Sequence, residues 1–159
     1  DNYRDFVKLF VASSLSKRME KGEPACIAGK SGIELAAEIF EETMGTEWNM
    51  EPQTSFERSV EYWIGWAVAY YQWYSGRMYG EIFRALSFEV LKNMYVTLHE
   101  ADITKFVDIA DARMFVFFSF FRNHFAGMRK MVAEEVTSAF QIRAGAALRG
   151  RSRRSQSPF

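Results

Sequence analysis

"EYWIGWAVAYYQWYSG", residues 61–76, sets seven aromatic rings in thirteen residues between Tyr62 and Tyr74. Three structures use such a stretch: a membrane span, an aromatic cage and a helical core. A span needs about 20 predominantly apolar residues. Here Glu61 opens the run, Gln72 interrupts it and Arg77 follows. A cage needs rings that converge on one cation, whereas rings on one helix radiate. A central helix remains, with Phe56, Val60, Trp63, Ala67, Tyr70 and Tyr74 as an i, i+4, i+7 stripe. Trp63, Trp66, Tyr70, Trp73 and Tyr74 are therefore expected as a structural aromatic core. Gly65 and Ala69 are expected to let a second helix approach closely.

Working outward, helical spacing predicts an amphipathic helix from Tyr3 to Glu20 through Phe6, Leu9 and Phe10. KGEPACIAGK (21–30) carries Gly22, Pro24 and Gly29 and predicts a loop. Ser31 with Glu34, and Thr54 with Glu57, have capping-box spacing. They mark the starts of a helix that stops near Gly45 and of the aromatic helix. Gly76 closes the aromatic helix. Short helices follow over MYGEIFRAL (78–86) and after Ser87, the latter with Phe88, Leu91, Met94, Tyr95 and Leu98 on one side. Residues 102–112 continue helically through Ile103, Phe106, Val107 and Ala110.

No stretch alternates like a hairpin strand. The expected fold is all-α: a compact bundle of about five to seven helices around the aromatic helix. Residues 1–140 form one helical domain, and residues 141–159 a basic flexible tail.

Composition supports a real core, with 48% hydrophobic and 16% aromatic residues. The only cysteine, Cys26, excludes an internal disulfide framework and a cysteine-rich zinc site. A reducing, cytoplasmic setting fits it. The opening residues DNYRDFVKLF carry acids and do not resemble a secretory leader. Formal charge is zero but segregated. Residues 1–112 hold 11 Lys/Arg against 18 Asp/Glu, a net of −7. Residues 113–159 hold 9 against 2, a net of +7.

Chemical motifs are sparse. His99, Glu100 and Asp102 form the possible polar site. Together with Tyr70 and Tyr71 they allow an enzyme or small-ligand pocket near the aromatic helix. Asp102 is instead expected to cap the next helix. His124, among Phe120, Phe121 and Phe125, is expected as a packed or interface histidine. No phosphate loop, dinucleotide fingerprint or nucleophile elbow is found. No catalytic residue, cofactor or metal is assigned.

Two features point to partners. MFVFFSFF (114–121) is too short for a membrane span. With Phe117, Phe118, Phe121 and Phe125 it marks an interface for a protein partner or a homo-oligomer. Arg143, Arg149, Arg151, Arg153 and Arg154 allow phosphate contacts with nucleic acid. No membrane partner is expected.

The segments EYWIGWAVAYYQWYSGRMYGEIF and NMYVTLHEADITKFVD together resemble a small uncharacterised bacterial family. That family carries EYWxGWALAYYQWxTG followed by MYxxHExDIxxF. The resemblance rests on Glu61, Tyr62, Trp63, Gly65, Trp66, Tyr70, Tyr71, Gln72, Trp73 and Gly76, then Met94, Tyr95, His99, Glu100, Asp102 and Phe106. It covers roughly a third of the chain and attaches no catalytic role to these residues. Some members continue into a Cro/repressor-type helix-turn-helix domain; others occur among toxin–antitoxin-like or mobile-element loci. At that point this chain has MFVFFSFFRNHF and the arginines instead. A different extension and a shifted reading frame both fit that departure. The resemblance implies a non-enzymatic helical interaction module in a bacterial regulatory or toxin–antitoxin-like setting. A nucleic-acid-associated regulator is the alternative.

Overall fold

The structure, a computed structural model, describes residues 2–47 and 59–154. Among the described residues there are eight helices and no strand. In order they are α1 (Asn2–Ala12), α2 (Ser14–Glu20), α3 (Pro24–Ile27), α4 (Gly32–Met44), α5 (Val60–Ser75), α6 (Tyr79–Ala85), α7 (Phe88–Leu98) and α8 (Ile103–Arg154). The fold is all-α, as expected.

Two local features raise the helix number above the expectation. The first predicted helix divides at Ser13, whose backbone is extended (φ −72°, ψ 160°). The Ser13 hydroxyl donates to the Phe10 carbonyl at 2.8 Å. Ser14 donates its amide and its hydroxyl to Glu42, at 2.8 and 2.9 Å. Such short side-chain bonds offer the backbone partners outside the helix ladder. Within the predicted loop, Pro24 opens α3, where its fixed φ suits a first helical turn.

The capping box at Ser31 is present. Its hydroxyl accepts the Glu34 amide, and its own amide donates to Glu34 Oε2 at 2.7 Å. The second predicted box, Thr54 with Glu57, lies outside the described residues, as does Phe56. α5 starts at Val60, where the Ser59 hydroxyl accepts the Tyr62 amide at 3.2 Å. It ends at Gly76, whose φ of 66° is left-handed and whose amide bonds the Gln72 carbonyl at 2.8 Å. A side chain there would cost about 1–2 kcal/mol.

The chain divides into two compact units, Asp1–Phe115 and Val116–Phe159. In the first unit, α5 packs against α6 and α7, and α1 packs against α2 and α4. Trp63 sets its ring edge-on to Tyr95 and to Phe106, both at 5.6 Å between centroids. Leu15, Cys26 and Ile39 form a second cluster with Phe6, Leu9, Phe10, Met19 and Leu35 around them. Glu20 accepts the Tyr79 amide at 2.7 Å, which ties α2 to α6.

The second unit takes in the later part of α8, which passes Gly127 without a break. Its bounds reach Arg154, beyond the start of the tail expected at residue 141. Side chains from Gln141 onward lie outside the described residues. Among the described residues, no helix is long and apolar enough to cross a membrane.

Candidate interaction surface

α5 buries a different face from the one its sequence suggested. The buried residues are Trp63, Ile64, Ala67, Val68, Tyr71 and Gln72. They advance by four residues along each row, as two adjacent lines on a 3.6-residue helix do. The expected step from Ala67 to Tyr74 follows a neighbouring line instead. Of the five rings expected as core, only Trp63 is buried, at 7% exposure. Trp66 is 48% exposed, Trp73 77% exposed, Tyr74 also exposed, and Tyr70 half-buried. The core tyrosine is Tyr71, fully buried against Phe106. Tyr71 was not among the rings expected as core; the four-residue spacing through Trp63, Ala67 and Tyr71 is present in the sequence but competes with other apolar stripes on the same helix.

The opposite face is built from Tyr62, Gly65, Trp66, Ala69, Tyr70 and Trp73. These lie at i, i+3, i+4, i+7, i+8 and i+11, one side of a helix. Trp66 and Tyr70 lie 6.3 Å apart between ring centroids, and Tyr70 and Trp73 6.0 Å. The rings thus form a ridge along α5. A Cβ added at Gly65 meets nothing within 4 Å. The helix expected to pack on Gly65 and Ala69 is therefore not found among the described residues. Instead, Gly65 is exposed on the outward face of α5.

His99, Glu100 and Asp102 do not converge. His99 caps the end of α7, with Nδ1 2.8 Å from the Tyr95 carbonyl and its ring stacked on Tyr95. Its Nε2 lies 3.7 Å from the exposed Glu100. Asp102 precedes α8 and accepts the Thr104 amide at 2.9 Å and the Thr104 hydroxyl. These two bonds hold its carboxyl below the usual 3.8. Asp102 therefore sits as a helix cap. Tyr70 and Tyr71 turn to different partners, Tyr70 to the ridge and Tyr71 to the core. Among the described residues, no group of three or more His, Cys, Asp or Glu side chains is placed to hold a metal.

In the second unit, Phe117 and Phe118 are half-buried, while Phe121 and Phe125 are exposed. Phe117 meets Phe121 at 4.6 Å, and Phe120 stacks on His124 at 6.2 Å. These ring pairs all lie along one helix. The side chains of Arg143, Arg149, Arg151, Arg153 and Arg154 lie outside the described residues.

A feature missed in the sequence is the ion cluster of α2, α3 and α4. Arg18 grips Glu23 with two bonds, at 2.9 and 2.8 Å, and reaches Glu38, which also takes Lys30. Charges at such wide sequence separations carry no local motif.

In comparisons with known proteins, the chain matches no family model, no curated protein and no solved structure.

Proposed function

We propose that this chain is a non-enzymatic helical module that works by binding another protein through the outward face of α5. The observation that carries this is the ridge of Tyr62, Trp66 and Trp73, exposed around the half-buried Tyr70 although their helix is otherwise a core element. Tryptophan and tyrosine are the residues whose burial most often dominates protein interfaces. Contiguous exposed apolar surface of this kind marks association sites. The resemblance of the α5 and α7–α8 segments to a bacterial family supports a regulatory or toxin–antitoxin-like setting in the cytoplasm.

The test is affinity capture from the native host with the wild-type chain and with Trp66→Ser/Trp73→Ser. The proposal expects a stoichiometric protein with the wild type, lost with a variant that keeps its melting temperature. Equal recovery with both baits would refute it.

A second reading, nucleic-acid association, is favoured by the five arginines and absence of acids from Gln141 onward. It expects affinity that falls steeply with salt and disappears on deletion of residues 143–159. Sequence-selective binding that survives the deletion would contradict that route.

A further inference from the structure

We draw no further inference here: the strongest candidate, the exposed apolar patch of Phe121, Phe125 and Met128 on the later part of α8, carries nothing because nothing in the structure shows what covers it.

Discussion

The Tyr71 hydroxyl donates a 2.5 Å hydrogen bond to Asp111 Oδ1 across forty residues of sequence. It locks α5 to the first turns of α8 and fixes which side of α5 faces inward. With Tyr71 and Trp63 both seated against Phe106, the Trp66–Tyr70–Trp73 ridge must face out. Burial, then the Asp111 carboxylate, pushes the Tyr71 hydroxyl up to about 12 from the usual 10.0. Burial and Glu20 raise Tyr79 similarly, also to about 12.

Both folded-state values lie above the unfolded value, so their contribution is complete below pH 10 and is lost as pH rises toward 12. Tyr71→Phe keeps the ring and removes the bond, at a cost of about 1–2 kcal/mol. Denaturant unfolding at neutral pH checks the loss. Phenolate absorbance in an alkaline titration checks the late ionisation, which the variant should show for one tyrosine fewer.

Trp63 and Trp73 separate core from surface on the same helix. Trp63→Ala should cost about 3–5 kcal/mol. Trp73→Ala should stay within about 0.5 kcal/mol of wild type. Urea midpoints for the pair give the answer; equal losses would mean both rings are core.

How much of this was legible in the sequence depends on the range of the interaction involved. Caps at Ser31, Ser87, Asp102 and Gly76 are local, and their residues announced them. The all-α class followed from periodicity summed over many turns. The inward side of α5 was not legible, because aromatic residues occur nearly all round it and hydrophobicity alone cannot rank its faces. Its orientation is set by partners distant in sequence, Tyr95, Phe106 and Asp111. The break at Ser13 was hidden for the same reason: it depends on Glu42. His99 and Glu100 looked like chemistry because adjacent polar residues in sequence need not share a target in space.

Gly65 offers a substitution with opposed effects on folding and binding. Its added Cβ meets nothing within 4 Å, and alanine is the better helix former. Gly65→Ala should raise stability by about 0.4–1 kcal/mol. The same methyl projects from the outward face that carries Tyr62 and Trp66 and should weaken partner binding. A thermal melt and a binding titration on one preparation would show the two moving apart.

The Arg18 cluster predicts an acid-sensitive α2–α4 region. The Arg18 guanidinium bonds hold Glu23 below 4.5; the Lys30 bond, followed by Arg18, does the same for Glu38. With depressed folded-state values, their contribution is present above 4.5 and lost as pH falls through the lower folded values. Replacing Arg18 with Met should flatten the stability profile in that acidic window. Denaturation midpoints as a function of pH would reveal it, and an unchanged slope would mean the cluster is decorative.

The central claim is that the α5 ridge is where another protein binds. Hydroxyl-radical footprinting of Trp66 and Trp73, in the isolated chain and in the complex purified from the native host, tests it most directly. Strong oxidation of both indoles in the isolated chain and clear protection in the complex is the predicted result, with Trp63 protected in each. Equal oxidation of Trp66 and Trp73 in the two samples would contradict the account.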